Sequence, residues 1–528
     1  MKQSYLKAAL ICGVWTAVLL LCAECNNTPP SNNASAQNAQ PNQQDLQEGR
    51  LLASQYCQSC HKLPDPALLP RQVWNKSVLP AMGLFLGLKP ANLPPQGTDG
   101  DNSLSYLPKH PLIDSIRWQK IVNYYVASAP EQLPAQIATA AIIKDIPLFE
   151  VQLPGNSFYN TVSIASYVKI DRSVQPARLL IGDGMAKNFY ILNNQLQTLH
   201  SYTLNGPLVD LYTLSAGKYL ACTIGDALFA NNLKQGNIAS IQIGTDGTLK
   251  ADDGIRFDTL ARPVAVNQAD LNDDGKPDYI ISQYGNLEGS LSWMENKGNN
   301  KYVPHILRNR PGTLKIVVQD YNHDGLPDIW AQFAQGDEGI FLYTNKGKGN
   351  FEEKRVLQFP PSYGSTSFQV IDFNRDGAMD ILYTCGDNAD YSQVLKPYHG
   401  VYLFLNDGNN NFKQKFFHPI NGCYKAIALD FDGDNDLDIA TISNFPAAVT
   451  PWESFVYLEN KGNYDFQPYT LPNNTPFQKG VTMDAGDLDG DGKQDLVLGN
   501  GFYTSKQDGY KEPLFIVLKN KGTTFKKK

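Results

Sequence analysis

The stretch that decides the fold of most of this chain reads Asp487-Leu488-Asp489-Gly490-Asp491-Gly492-Lys493-Gln494-Asp495. Its acidic residues stand at positions 1, 3, 5 and 9, where side-chain oxygens can converge on one hard cation. Position 7 can add its backbone carbonyl, and Gly at position 6 allows the sharp turn that such a loop needs. The stretch therefore predicts a calcium-binding loop.

The same design occurs four more times upstream, and consecutive copies begin 50, 52, 58 and 57 residues apart. A single copy would fit an ion-free turn rich in Asp and Gly equally well, but five copies at this period favour a propeller or solenoid with a cation in each loop. One loop has Asn435 where Gly is usual, and Asn is the next most tolerant residue for a left-handed backbone. The predicted ligands, including the carbonyl donor at position 7, are Asp270, Asn272, Asp274, Lys276 and Asp278; Asp320, Asn322, Asp324, Leu326 and Asp328; Asp372, Asn374, Asp376, Ala378 and Asp380; Asp430, Asp432, Asp434, Asp436 and Asp438; and Asp487, Asp489, Asp491, Lys493 and Asp495.

Short apolar runs flank these loops, as Val264-Ala265-Val266 and Tyr279-Ile280-Ile281 do around the first, so strands are expected rather than the helices of an EF-hand. An Asn-x-Gly turn then follows an apolar run in each repeat and predicts a hairpin. Each repeat therefore reads as a four-stranded antiparallel propeller blade. The five turns begin at Asn296, Asn345, Asn406, Asn460 and Asn520.

These motifs resemble the FG-GAP and VCBS repeats of integrin-α-type β-propellers, specifically over about 270–525 and more weakly over 150–269. The weaker part has strand-like runs without an intact Asp loop, and its length suits two more blades. We therefore expect a seven-bladed propeller over 148–528, with the strand around Phe149-Glu150-Val151 pairing with the last blade to close the ring.

The predicted blade places the Asp loops and the Asn-x-Gly turns at one end of the propeller, so the long loops 385–400, 444–453 and 500–513 should lie at the opposite face. The first of these is the richest in polar groups, and His399 is its only candidate for a general base near neutral pH. A solvated surface loop is an equal alternative, and no catalytic residue is assigned. Cys385 and Cys423 should lie near this face, where a disulfide is possible, leaving Cys222 free and buried.

The chain begins with Lys2 and Lys7 followed by an apolar run, 8–21, that ends at Cys22. Residues 1–25 therefore resemble a bacterial lipoprotein signal, with Cys22 or Cys25 as the acylated residue; secretion after ordinary cleavage is the alternative. Residues 26–44 are almost wholly Asn, Gln, Ser, Pro and Ala and are expected to form a disordered tether.

The segment Cys57-Gln58-Ser59-Cys60-His61 has the C-x-x-C-H pattern of covalent c-type haem attachment. Its thiols can reach the two haem vinyl groups, and the imidazole can ligate iron from one face. A zinc site would need two more ligands and has only His110 nearby, a redox dithiol would need a βαβ context, and a plain disulfide leaves His61 unexplained.

Helices are predicted over 45–56 and 113–129, the second with Ile116, Ile121, Tyr124 and Tyr125 on one side. Residues 45–130 therefore resemble a class I cytochrome c, whose first and last helices cross beside the haem. That family usually has a downstream Met as second axial ligand. Met82 is the only Met in the domain; His110 is the runner-up, and core packing is the alternative role for Met82.

Together these features predict a multidomain protein: a small all-α cytochrome c domain, a linker at 131–147, and an all-β propeller. Five calcium ions would more than cancel the formal net charge of −7, and nothing indicates nucleic acid. The expected function is electron transfer in the bacterial cell envelope, with one covalent haem c, a lipid anchor, and a propeller that docks a partner or ligand. One alternative is an oxidoreductase that passes electrons from a small molecule, such as a carbohydrate, to its own haem; another is a binding or adhesion module.

Overall fold

The computed structural model describes residues 42–88, 106–138, 140–387, 392–503 and 510–522. The signal sequence, both of its cysteines and nearly all of the predicted tether lie outside these residues. No described helix is both long enough and apolar enough to span a bilayer.

The described residues in 42–88 and 106–130 form a small helical part with α1 (Gln43–Tyr56), α2 (Arg71–Val73), α3 (Leu79–Phe85) and α4 (Ser115–Ser128). A π-helical turn, Trp74–Val78, joins α2 to α3. Asn42 and Asp114 cap α1 and α4 by accepting backbone N–H bonds, which is why both helices begin at those residues.

The helices α1 and α4 cross closely at Gly49, where a Cβ would overlap the carbonyl oxygen of Lys120. Ile121 and Tyr125 of α4 are buried as expected. Ile116 is not, because 72% of its surface is exposed. The prediction that Ile116 lies on the inner face of α4 is therefore wrong. Ile116 lies in the first turn of α4, before the point where α4 crosses α1.

The rest of the chain is built from strands. Three short strands come first, namely β1 (Ile143–Lys144), β2 (Phe149–Gln152) and β3 (Tyr159–Asn160). Seven four-stranded antiparallel blades follow. Blade 1 is β4 (Val162–Asp171), β5 (Arg178–Asp183), β6 (Asn188–Asn193) and β7 (Thr198–Thr203); blade 2 is β8 (Leu208–Ser215), β9 (Lys218–Thr223), β10 (Gly236–Ile243) and β11 (Leu249–Leu260); blade 3 is β12 (Pro263–Ala269), β13 (Asp278–Gln283), β14 (Ser290–Asn296) and β15 (Tyr302–Arg308); blade 4 is β16 (Thr313–Gln319), β17 (Asp328–Phe333), β18 (Gly339–Asn345) and β19 (Phe351–Gln358).

Blade 5 is β20 (Ser365–Ile371), β21 (Asp380–Cys385), β22 (Gly400–Asn406) and β23 (Phe412–Pro419); blade 6 is β24 (Cys423–Leu429), β25 (Asp438–Ser443), β26 (Phe455–Asn460) and β27 (Phe466–Thr470); blade 7 is β28 (Gly480–Gly486), β29 (Asp495–Tyr503), β31 (Phe515–Asn520) and, from the start of the propeller, β2. Between β29 and β31, β30 (Glu512–Pro513) pairs with β3.

The ring is closed in two ways. The innermost strands of successive blades contact one another all the way round, and β28 of blade 7 contacts β4 of blade 1. In addition, β2 supplies the outer strand of blade 7, with Phe149 opposite Asn520 and Val151 opposite Leu518. The predicted pairing of this segment with the last blade is therefore observed.

Residues 131–147, predicted as a linker, run along the propeller. The strand β1 adds a parallel edge to blade 6 through Ile143 and Lys144. Ile146 and Leu148 are buried in the adjoining hydrophobic cluster. This segment therefore ties the helical part to the ring instead of spacing the two apart.

Candidate functional site

The five Asp loops share one backbone conformation. Position 6 is left-handed in all five, including Asn435 with φ 72°. Position 4 is left-handed as well, and it is not always glycine: His323 and Arg375 have φ 59° and 60°. Because each non-glycine residue in this region carries strain, the loops hold a shape that local sequence preference alone would not select.

Side-chain oxygens at positions 1, 3 and 5 of each loop accept backbone N–H bonds within the turn. In the loop beginning at Asp320, its Oδ1 accepts from the N–H of Asp324 at 3.1 Å and its Oδ2 from that of Gly325 at 2.9 Å. In two loops three carboxylates place one oxygen each within 4.8 Å of the others: Asp430, Asp432 and Asp434, and Asp487, Asp489 and Asp491. Such an oxygen set fits calcium.

The Asp at position 9 is buried and joins the Asp loop to the Asn-x-Gly turn of the same blade. Asp278 accepts from the N–H of Leu271 at 3.0 Å and from that of Asn296 at 2.8 Å, and the other four copies hold their turn Asn in the same way. Both turns therefore lie at one end of the propeller, as predicted. Burial raises the pKa of Asp438 to about 7 and that of Asp495 to about 6.

In blades 4 and 7 the turn Asn also connects its blade to the one before it. The amide of Asn345 in blade 4 donates to the carbonyl of Leu271, in the Asp loop of blade 3, at 3.1 Å, and to that of Pro327 at 3.2 Å. Its Oδ1 accepts from the N–H of Gly347 at 2.9 Å. Asn520 repeats the link to the carbonyl of Phe431 at 2.7 Å. Sequence reasoning found this Asn as a turn marker and missed this role.

We expect Asn345→Ala to lower the free energy of unfolding by about 1–3 kcal/mol, because it leaves buried carbonyl and N–H groups without partners. Chemical denaturation measures the change. The control is Asn350→Ala in the same turn, whose exposed amide bonds only the carbonyl of Gly347; a change below about 0.5 kcal/mol is expected there. Equal losses in the two variants would contradict the link between blades.

Blade 1 has no Asp loop and uses an arginine in its place. Arg178 pairs with Asp171 in the same register as Asp278 with Ala269 in blade 3, so the Arg178 side chain takes the place of the position 9 Asp of blades 3 to 7. It donates from Nε to Asp171 at 2.8 Å and from Nη1 to the carbonyl of Gly244 in blade 2 at 2.6 Å. A buried side-chain cation thus bridges blades 1 and 2.

The cysteine turn lies at the end of α1. The N–H of Cys57 donates to the carbonyl of Ala53 at 2.8 Å, and Cys60 follows after one more turn. Both are free thiols; Cys57 packs against the hydrophobic cluster of the helical part, while Cys60 is exposed. Burial, with the nearby Cys60 as a smaller cause, raises the pKa of the Cys57 thiol to about 11.

This arrangement separates the alternatives for the turn. A redox dithiol needs a thiol with a lowered pKa, and burial acts in the opposite direction here. A zinc site is not supported either, because Cys57, Cys60 and His61 are absent from the described clusters of three or more ligand atoms within 4.8 Å. The Nδ1 of His61 donates to the carbonyl of Lys62 at 2.9 Å, which leaves Nε2 with its lone pair. Metal-bound histidines commonly have this orientation.

Met82 lies on α3, half-buried, and is not among the residues packed in the hydrophobic cluster of the helical part. His110 is exposed in the segment before α4.

The helical part docks on the face opposite the Asp loops. The Tyr398 hydroxyl donates to the carbonyl of Leu68 at 2.9 Å, and Gln136 donates to the carbonyls of Lys396 and His399 at 3.1 and 2.8 Å. Next to the cysteine turn, the ammonium of Lys62 donates to the carbonyl of Gln358 in blade 4 at 3.4 Å. The described part of the loop 385–400 is therefore largely an internal interface.

Two possibilities raised for this loop are not observed. His399 is 1% exposed, and burial together with the charge of Lys396 lowers its pKa to about 3, so it is neither an accessible nor a suitably basic general base. Cys385 and Cys423 are both free thiols, so no disulfide joins them. The Cys385 thiol instead bonds the carbonyl of Tyr398, and Cys423 bonds the hydroxyl of Thr441. Cys222 is free and buried, as expected.

Comparisons with known proteins support the repeat assignment. Models of the FG-GAP-like repeat match residues 270–331 and 320–383, and a model of the FG-GAP repeat matches 480–511. Cartilage acidic protein 1 of Xenopus tropicalis is 27% identical over 220 residues, covering 39% of this chain and 30% of that protein. T-cell immunomodulatory protein homolog of Plasmodium falciparum is 25% identical over 218 residues, covering 33% and 28%. The chain thus spans less than a third of the length of either relative.

Two solved structures are similar in outline. BBS1N in complex with ARL6DN has a TM-score of 0.42 at 8% identity and covers 71% of this chain and 97% of its own; the Dos1 propeller has 0.40 at 9% and covers 69% and 81%. Neither likeness is close enough to carry an argument. The matched repeats lie in blades 3, 4, 5 and 7 of the observed ring, and the chain carries FG-GAP repeats within a β-propeller that follows a small helical part.

Proposed function

We propose that this protein is a c-type cytochrome fused to a binding propeller, and that it transfers electrons in the bacterial cell envelope. The observation that carries the proposal is the turn at the end of α1. It has two free thiols, Cys57 partly buried and Cys60 exposed, followed by His61, whose Nδ1 is hydrogen-bonded to a backbone carbonyl. Cys57 and Cys60 would hold a haem through thioether bonds, and His61 would offer Nε2 to its iron. The bound group supplies reversible one-electron chemistry. Met82 on α3 is the proposed second ligand, with His110 as the runner-up.

The chain's own residues would hold this group in a fixed place. The cluster around Trp74 and Tyr125 is anchored by hydrogen bonds from both side chains to the carbonyls of Pro66 and Pro64, in the segment that follows His61. Contacts through Leu68 and Lys62 then fix the segment to blades 5 and 4. A cofactor on this turn would therefore lie beside the propeller face, and the helical part would not have to move to bring it there.

We expect the full chain, exported from a host that matures c-type cytochromes, to be coloured and to keep porphyrin on the polypeptide after denaturation. Cys57→Ser with Cys60→Ser should remove all covalently bound porphyrin, because no thiol remains to form a thioether. Ser59→Ala, in the same turn, is the control and should retain it. A colourless, folded wild-type protein would overturn the cytochrome assignment.

An oxidoreductase is the second candidate, since the central cavity of the propeller opens on the face where the helical part docks. A soluble substrate that reduces the haem of the purified protein would favour this reading, whereas reduction only by a protein donor would favour electron transfer. The relatives support a binding role for the propeller in either case.

We further propose that the five Asp loops bind calcium and that Cys22 or Cys25 carries a lipid. The converging oxygens of the loops support the first part. The second rests on the sequence of residues 1–25, and it would hold the protein at a membrane surface.

A further inference from the structure

The centre of the ring contains a cavity of about 940 Å³. Its walls are the innermost strands of all seven blades. Its lining also includes Phe229, Tyr284, Asp387 and Asn444, which follow second strands and therefore lie at the face opposite the Asp loops. No residue of an Asp loop lines it. The cavity thus reaches from the middle of the channel to the face where the helical part docks.

One feature of the inner strands is repeated in every blade: a shift in register near the start of the strand. The residue just past this β-bulge therefore stands at the same level in all seven blades, and all seven such residues line the cavity. Bulges aim side chains and are common next to binding sites. This ring of residues, which we call the bulge tier, consists in blade order of Tyr167, Asp210, Ala265, Lys315, Ser367, Lys425 and Thr482.

The charges in the bulge tier are not evenly distributed. Lys315 and Lys425 come from blades 4 and 6, with Ser367 of blade 5 between them. Within the described residues neither ammonium donates a hydrogen bond or forms an ion pair, and the nearest ring to Lys315 is that of Phe368, 5.8 Å away. Two unpaired cations therefore face the same space.

Three other charged groups of the inner strands are already engaged. Lys169 donates to the carbonyl of Leu211 at 3.3 Å. Asp210 accepts from the N–H of Val266 in the next blade at 2.9 Å, and Asp484 from that of Ile170 at 2.8 Å. These bonds join the inner strands of adjacent blades, so the two aspartates have a structural role in the ring. The two lysines make no such bond.

Leaving two ammonium groups unpaired in a narrow channel is unfavourable unless something binds there. Burial, followed by repulsion from Lys425, lowers the pKa of Lys315 to about 7 in spite of the charges of Asp210 and Asp484. The pKa of Lys425 is lowered by burial as well. An oxyanion between the two lysines would offset the free-energy cost of the two unpaired ammonium groups. Ser367, which lies between them in the ring, could donate its hydroxyl to the same oxyanion.

We propose that the bulge tier binds a small organic acid, with its carboxylate between Lys315 and Lys425. Hydroxyl groups elsewhere on such a molecule would meet Tyr167 and Thr482. The cavity has ample room for a molecule the size of a single sugar acid. The proposal is independent of haem, since every group it uses belongs to the propeller.

The test is calorimetric titration of the full chain, in calcium-containing buffer, with sodium gluconate, sodium sulfate and sorbitol. Gluconate should bind and sorbitol, its uncharged analogue, should not; sulfate binding weaker than gluconate indicates that the hydroxyl groups contribute. Lys315→Met and Lys425→Met should each weaken gluconate binding by about tenfold or more, the effect of losing one charged hydrogen bond. Lys169→Met is the matched control and should bind as wild type does.

Thermal melting distinguishes binding from a structural role. Without ligand, the two Met variants should melt at the wild-type temperature or above it, because they remove a desolvated charge, and only the increase caused by gluconate should disappear. Binding should also be tighter at pH 6 than at pH 8, because Lys315 must be protonated. The proposal is overturned if gluconate does not bind to the wild type, if sulfate binds equally well, or if Lys169→Met loses as much affinity as the other two.

Discussion

Replacing Arg178 by Met is expected to lower the free energy of unfolding by about 3–5 kcal/mol, the usual cost of breaking a buried ion pair from one side. The side chains of Arg178 and Asp171 are 3% and 1% exposed. Met fills a similar volume, so the loss comes from the carboxylate left behind. Although burial alone would raise it, the pKa of Asp171 is held below its ordinary value by bonds from Tyr219, Ser173 and Arg178. The contribution is therefore present above the ordinary pKa of an Asp and is lost only in acid.

Chemical denaturation at neutral pH measures this effect, and an exposed pair provides the control. Arg256 lies 2.7 Å from Asp258 with 66% of its side chain exposed, so Arg256→Met should change stability by no more than about 1 kcal/mol. Adding Asp171→Leu to Arg178→Met should recover part of the loss, because no buried charge is then unpaired. Equally small changes in the free energy of unfolding for Arg178→Met and Arg256→Met would mean that the Arg178 guanidinium does not stabilise the contact between blades 1 and 2.

The bridge at Arg178 also shows where sequence reasoning stops. The five Asp loops were recognisable because each puts its ligands within nine consecutive residues, and the hairpin turns follow at a regular distance. From these repeats the propeller, the common end of both turns and the closure by Phe149 could be predicted. Arg178 meets the carbonyl of Gly244 across 66 residues, and no local pattern announces that contact.

The channel was missed for the same physical reason. Lys315 and Lys425 are single residues in ordinary strands, and they become neighbours only because the ring brings strands of different blades to one level. For His399 the sequence indicates an exposed residue, whereas the structure buries it. Its loop is polar and long, which suggests an exposed binding loop, but the helical part covers it through Leu68 and the following segment covers it through Gln136. Burial between domains cannot be read from the composition of a loop.

Removal of calcium is the second large effect that we expect. For each loop saturated at a hundredfold excess over its dissociation constant, bound calcium would add about 2.7 kcal/mol to stability, so five independent loops would contribute on the order of 10 kcal/mol. Chelation should therefore lower the melting temperature of the propeller by roughly 10 °C or more. The haem spectrum should change little, because the cysteine turn lies at the opposite face from the Asp loops.

The decrease in melting temperature on chelation should depend on the number of intact loops. Asp487→Asn with Asp489→Asn removes two carboxylates from one loop and should remove about a fifth of the calcium-dependent stabilisation. The melting temperature without calcium should change less, because the substitutions relieve repulsion between carboxylates in that loop.

The identity of the cation should matter as well. Magnesium demands a tighter octahedral geometry and should restore less stability than calcium at equal concentration. If chelation leaves the melting temperature unchanged, the loops hold their shape through bonds from backbone N–H groups to carboxylates, such as that from Gly325 to Asp320, alone. In that case the left-handed residues at positions 4 and 6 are stabilised by those bonds and not by an ion.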